Sequence, residues 1–243
     1  MDLSKKILFL VMIILIFNYS CKKKDSEPQT PQTPTPTNNT ILSLKFNNEI
    51  SDSSGNKNIM TGNNITYTKD SLGNIKGSAY FDGVTSSITS ADNDLYDLKS
   101  SFTFSIWIKP ETNSAYLIQK QMDINGGGPY SFDYWGGKPR IVLYFNSSDY
   151  FLLEGNTPIV ANKWQYLAAT WDGNSVKIYV DGKLDKDSVL TGKTILNSSK
   201  PIGIGLYQWN PTGCRFQGAM DNLEIYKIAL SKEAIASKYN TYK

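Results

Sequence analysis

Two Asp-Gly dipeptides, Asp172-Gly173 and Asp181-Gly182, bracket a segment in which Val176, Ile178 and Val180 alternate with other residues. Successive side chains on a strand point to opposite faces, so this apolar set lines one face. Asp-Gly supplies the positive φ that tight hairpin turns require, because glycine has no Cβ to clash. Residues 164–170 and 177–180 are therefore expected to pair as neighbouring strands. Any fold for the chain must accommodate this half-buried hairpin.

The same grammar continues on both sides. Clusters of Gly, Asn, Asp and Ser recur about every 8–12 residues, the spacing of an all-β sandwich. Strands are expected at 41–46, 78–81, 87–89, 101–109, 116–119, 130–135, 141–145, 150–153, 202–204 and 222–226. Residues 146–148 form the turn of a hairpin. In 101–109, Phe102, Phe104, Ile106 and Ile108 share one face and Trp107 the other. Trp107, Trp164 and Trp171 sit in regular strands and read as packing residues. Asp82, Asp172 and Asp181 read as turn formers. One helix is expected at 232–238, with Ser231 as N-cap and Glu233 in the first turn, where the helix dipole favours an acid.

The front of the chain is different. Lys5 and Lys6 precede an apolar run at 7–17, about half the ~20 residues of a membrane-spanning helix. That is the form of a secretory signal. Ser20-Cys21 closes the run and resembles the acylation site of bacterial lipoproteins. Asn18 and Tyr19 depart from the common pattern in the manner of the looser Bacteroidetes signals. The resemblance implies a lipidated, palmitate-bearing Cys21 at the mature N-terminus. It also implies an outer-membrane lipoprotein, facing the periplasm or the cell surface. Residues 25–40 hold Pro28, Pro31, Pro34 and Pro36 among Thr, Gln and Asn. They have too little apolar surface to offset ordering entropy. At ~3.1 Å per residue such a tether spans roughly 50 Å. The expected organisation is a signal at 1–20, a lipidated Cys and tether at 21–40, and one domain at 41–243.

Composition removes several function classes. Twenty-five basic residues against 22 acidic ones give no concentrated positive face, which argues against nucleic acid as a partner. The chain has no His, hence neither the commonest general base nor the commonest zinc ligand. With Cys21 lipidated, Cys214 has no disulfide partner, and it reads as a buried small apolar side chain.

Six segments in order carry a resemblance to a known family: SDSSGNKN (51–58), GSAYFDGVTSSI (77–88), SFTFSIWIKP (101–110), NKWQYLAATWDGNSVKIYVDGK (162–183), IGIG (202–205) and FQGAMDNLEIYKIALSKEAI (216–235). Together they resemble the laminin G-like domains of the concanavalin A-like lectin/glucanase superfamily. The resemblance implies a jelly roll of two antiparallel sheets with a short C-terminal helix, and a fold used mostly to hold ligands.

Related β-glucanases set carboxylates at alternating positions on one strand, so that acid and nucleophile flank a glycosidic bond. No such run is present here. Asp221 and Glu224 stand at an odd spacing, which in a regular strand sends them to opposite faces. A non-enzyme is expected. Calcium needs six to eight oxygens. Asp52, Asn56 and Asn58 cluster around Gly55, and in similar domains the first loop and the start of the closing strand, here Asp221, share a structural Ca²⁺. The same cluster also suits a plain turn of self-bonding residues, and both readings stand. Two segments suit a ligand face: Tyr134, Trp135 and Arg140 around Gly136-Gly137, and Tyr207, Trp209 and Asn210 in a polar loop. Aromatic faces stack on sugar C–H groups and a few placed polar groups read hydroxyls. The expected partner is a glycan, bound on an aromatic-lined concave face or rim. The alternatives are an extracellular protein in adhesion, or a role as structural accessory subunit of an outer-membrane complex.

The lipid expectation has a direct test. Cys21→Ala should move the protein from the membrane to the soluble fraction or leave its signal uncleaved; unchanged membrane fractionation would contradict it.

Overall fold

A computed structural model of the chain describes residues 39–121, 128–208 and 213–243. The expected signal, Cys21 and nearly all of the tether lie outside the described residues, as do Trp209 and Asn210. In chain order the strands are β1 (Thr40–Leu44), β2 (Met60–Asn63), β3 (Thr66–Thr68), β4 (Ser78–Asp82), β5 (Ser87–Ser90), β6 (Phe102–Pro110), β7 (Ala115–Lys120), β8 (Tyr130–Trp135), β9 (Lys138–Tyr144), β10 (Tyr150–Glu154), β11 (Gln165–Trp171), β12 (Ser175–Val180), β13 (Lys183–Val189), β14 (Ile202–Ile204) and β15 (Gln217–Tyr226). The helix α1 (Lys232–Thr241) follows.

Among the described residues the strands form two antiparallel sheets. The first runs β13-β12-β11-β6-β15-β4-β3, with β1 beside the second half of β15. The second runs β10-β9-β8-β7-β14-β5-β2. This is the expected jelly-roll sandwich with its short C-terminal helix. Phe104 of the first sheet meets Tyr130 and Phe132 of the second, with ring centroids 5.3 and 6.2 Å apart. Phe102 stacks on Phe104 at 4.6 Å and faces Trp171 at 6.3 Å. Such ring pairs add to the area they bury.

The first sheet's outer face is partly covered by α1. Trp107, Tyr166, Ala168, Tyr179 and Ile235 form a second apolar cluster there, with Trp164 packed against it. The Trp107 ring stacks on Tyr239 at 5.5 Å. Ser231 caps the helix, its Oγ accepting from the Ala234 N–H at 3.2 Å. Gly182 sits at φ +74°, and a Cβ there would come within 2.9 Å of Tyr239. The second Asp-Gly turn thus serves both the hairpin and the seating of α1. The acids read as turn formers are that: Asp82 accepts the N–H groups of Val84, Thr85 and Ser86. Asp172 accepts those of Asn174 and Ser175, and Asp181 that of Tyr166.

β2, β3 and β13 were not expected. MTGN and TYT are short, and KLDKDSV carries charges at successive positions. All three lie at sheet edges, where one neighbour suffices and charge discourages pairing with other chains. Helix α1 runs to Thr241 rather than 238.

Trp171 is fully buried, and its indole N–H donates to the Leu190 carbonyl at 3.1 Å. Trp171→Ala should cost about 3–5 kcal/mol, as large-to-small core changes do, read as a lower denaturation midpoint at unchanged slope.

Candidate functional site

Among the described residues no helix covers the outer face of the second sheet as α1 partly covers the first. Phe132 and Tyr134 of β8 and Ile141 and Leu143 of β9 point into the core. Their neighbours Ser131, Asp133, Trp135, Arg140, Val142 and Tyr144 therefore point outward. On β7 the pairing slips between Tyr116 and Ile118, a bulge that turns both Leu117 and Ile118 into the core. The extra residue brings Tyr116 and Gln119, three apart, onto one outward face. Register then lays down rows across the strands. Tyr116, Asp133, Arg140 and Glu154 form one; Gln119, Ser131, Val142 and Leu152 form the next; Tyr144 faces Tyr150 beyond them.

All of these except Asp133, Trp135 and Glu154 line a hollow of about 520 Å³, within the size range of small-ligand sites. Two ring pairs frame it. Tyr116 stacks on Tyr207 at 4.5 Å and 12°, and Tyr144 on Tyr150 at 5.2 Å and 27°. The Tyr207 loop is fixed to the floor by its neighbour, since the Gln208 N–H donates to Gln119 Oε1 at 2.9 Å. Gly203 leaves room for the side chains beside that loop: a Cβ there would lie 2.2 Å from the Gln208 side-chain nitrogen. Asp133 is almost wholly buried and accepts from Arg140 Nε and Ser131 Oγ, both at 2.8 Å. Burial raises its carboxyl above the usual range, against the pull of Arg140. The Arg140 guanidinium also lies 5.3 Å from the Trp135 ring centre, a cation–π contact. Burial, with the Asp133 charge adding to it, pushes the Tyr116 phenol well up.

Three expected residues meet here. Arg140 and Tyr207 line the hollow, and Trp135, half exposed, backs Arg140. Tyr134 does not belong with them. Its parity is opposite to that of Asp133 and Trp135, so its ring is fully buried against Phe216. Its hydroxyl is 3.2 Å from Thr112 Oγ1, and burial pushes its pKa up to about 12. Sequence reasoning passed over Tyr116, Gln119, Asp133, Tyr144 and Tyr150. Tyr144 and Tyr150 were within reach, since a hairpin turning at 146–148 places them opposite each other. Cys214 is half buried rather than buried, close enough to Asp133 and Arg140 to feel both charges.

The first loop is organised by Asp52. Its carboxylate accepts from the N–H groups of Ser43, Ser54 and Asn58, from Ser54 Oγ and from Asn58 Nδ2, at 2.8–3.1 Å. Burial raises its pKa, and these donors outweigh that and lower it. Asn56 and Asn58 both donate to the Ile41 carbonyl, at 2.9 and 2.8 Å. Asp221 stands apart, buried, taking the Asn222 N–H at 2.7 Å. Burial raises its pKa to about 7, with the charge of Asp70 adding to the effect.

A family profile described as the concanavalin A-like lectin/glucanases superfamily, of the laminin G type, matches residues 81–236. The chain belongs to this superfamily. A curated relative, the adhesion G-protein coupled receptor V1 of Danio rerio, is 24% identical over 151 residues, 58% of this chain and 2% of the receptor. Among solved structures, the binding domain of Paraclostridial Mosquitocidal Protein 1 superposes with a TM-score of 0.70 at 18% identity, over 86% of this chain and 53% of that one. The binding domain of botulinum neurotoxin DC in complex with SialylT gives 0.67 at 18%, over 86% and 53%. The laminin G-like domain thus spans about half of those toxin chains, and the likeness is one of fold.

The oxygens expected to hold calcium are engaged within the protein. Asp52 is committed to five donors, and the Asn56 and Asn58 amides are turned to give N–H bonds to carbonyls. Among the described residues no group of three or more His, Cys, Asp or Glu converges as a metal cluster. These hydrogen bonds are those of the self-bonding turn that the same residues equally suggest. The expectation for Asp221 and Glu224 also needs correction. Asn222, at φ +46°, makes a bulge in β15, and register pairs Asp221 with Trp107 and Glu224 with Ser105. Trp107 and Ser105 are two apart on β6, so both acids share the outer face. They form no open carboxylate pair. Glu224 lies between Lys45 at 3.0 Å and Lys238 at 2.6 Å, at the helix, and these cations lower its pKa against burial.

Asp221 gives a test that separates the two readings of this region. With a folded pKa of about 7 against the ordinary aspartate value of 3.8, its neutral form favours the fold. That contribution is full below about pH 4 and is lost as pH rises through 7. Between pH 5 and 8 the loss is roughly 2–3 kcal/mol. Asp221→Asn should therefore gain stability relative to wild type as pH rises from 5 to 8, with no response to a chelator. A variant less stable at pH 8, with chelation lowering the wild-type Tm, would restore the calcium reading.

Proposed function

We propose that this laminin G-like domain is a non-catalytic glycan-binding module that binds on the outer face of the second sheet. The observation that carries the reading is two stacked tyrosine pairs framing one hollow, with Arg140, Gln119 and Ser131 on its floor. Ring faces of this kind offer platforms for sugar C–H groups, and the few polar groups between them give orientation. The superfamily's lectin members and the toxin binding domain captured with SialylT support a binding role and a glycan ligand. The N-terminal pattern ending at Cys21 supports a lipid anchor in the outer membrane, with the tether holding the domain away from the bilayer.

Protein adhesion is the second reading. It draws on the name of the adhesion receptor and on the edge strand β10, where Tyr150 and Leu152 are 56% and 43% exposed.

Tyr150→Ala and Tyr207→Ala should each reduce glycan binding by roughly 1–3 kcal/mol, the scale of a large apolar side chain, with little change in melting. Titration calorimetry against oligosaccharides selected on a glycan array measures this. Binding by both variants at wild-type strength would remove the hollow as the glycan face, and a silent array would favour adhesion.

A further inference from the structure

We infer that the hollow takes an acidic saccharide, a uronic acid unit whose carboxylate sits on the terminal amino groups of Arg140. This rests on the glycan reading above and deepens it. The ground is a count of donors against acceptors. A neutral sugar's hydroxyls both donate and accept, whereas a carboxylate only accepts and is served by donors alone. Here the acidic side chains are already engaged. Asp133 Oδ1 takes the Arg140 Nε–H and Oδ2 takes the Ser131 hydroxyl. Glu154, opposite Arg140 in register, is 3.2 Å from Lys138. The amide oxygen of Gln119 takes the Gln208 N–H.

The free charged capacity is on the donor side, and the free tyrosine hydroxyls can donate as well as accept. Among the described residues only Arg140 Nε is bonded, and its two terminal amino groups have no partner. Gln119 Nε2 and the hydroxyls of Tyr116, Tyr144, Tyr150 and Tyr207 have none either. The guanidinium is held from two sides, by its bond to Asp133 and by the Trp135 ring. Its plane is therefore fixed before a ligand arrives. A fixed guanidinium offers parallel N–H groups at the spacing of a planar carboxylate's oxygens. Asp133 balances the formal charge, so selection runs through directed hydrogen bonds more than through a long-range field. The tyrosine rings then flank the pyranose that carries the carboxylate.

The test is titration calorimetry of the full chain. The probes are trisaccharides of galacturonic, glucuronic, mannuronic and guluronic acid, the methyl ester of each, and a sulfated neutral trisaccharide. The expected result is that at least one acid binds about tenfold or more tighter than its ester. Arg140→Lys keeps a cation beside Asp133 but loses the fork, and should abolish that preference. If Arg140→Lys melts early, the acid-against-ester comparison on the wild type decides alone. Esters binding as well as acids, neutral sugars binding best, or a preference surviving Arg140→Lys would overturn the inference and leave the glycan reading standing. Tighter binding of the sulfated sugar would replace carboxylate by sulfate. No binding by any sugar would sink both.

Discussion

Both outer faces of this molecule are dictated by what the two sheets bury between them. Phe104 against Tyr130 and Phe132 locks β6 over β8. Once Phe132 and Tyr134 are committed inward, Ser131, Asp133 and Trp135 have nowhere to go but out. The same constraint on β9 sends Arg140, Val142 and Tyr144 outward, beside them in register. The hollow is thus the reverse side of the core, and a one-residue slip of β8 would bury Asp133 in apolar surroundings and expose Phe132.

Two bulges modify this parity, and each has a consequence for chemistry. At Leu117 the slip sends two successive apolar residues inward and lets Tyr116 and Gln119 share the hollow. At Asn222 it brings Asp221 and Glu224 to one face beneath and beside α1. An asparagine tolerates the left-handed conformation this needs better than most side chains. The outcome differs between the sheets. One outer face is partly filled by Trp107, Tyr239 and the Lys238–Glu224 pair, while the other keeps its polar groups on a surface hollow.

Much of this was legible in the chain. Alternation at Phe102–Ile108 and the Asp-Gly turns around β12 gave the sheets, and Ser231 gave the start of α1. Arg140 and Tyr207, expected in two separate segments, meet in one hollow. What escaped was whatever depends on parity after a bulge. Tyr134 was placed beside Trp135 because the two are adjacent, although adjacency in a strand means opposite faces. Tyr116 looked like a residue of an ordinary short strand, because nothing in AYLIQK announces that Leu117 and Ile118 both turn inward. The Asp52 cluster is ambiguous in the sequence for a different reason. Oxygen-rich residues serve a cation or neighbouring N–H groups equally well, and only the direction of the amides distinguishes the two.

The loop bearing Tyr207 is clamped twice before any ligand arrives, by the ring of Tyr116 and by Gln119. A loop already in place loses little conformational freedom on contact, so the association it supports is spared a cost that mobile binding loops incur. The same clamp limits tolerance: a site that cannot reshape itself around a ligand discriminates by rigidity. Residue 203 lies beside that clamp, and a side chain there would first displace the ends of Gln208 and Leu206. A glycine with no contact to the ligand thereby leaves the side chains of the loop room to seat.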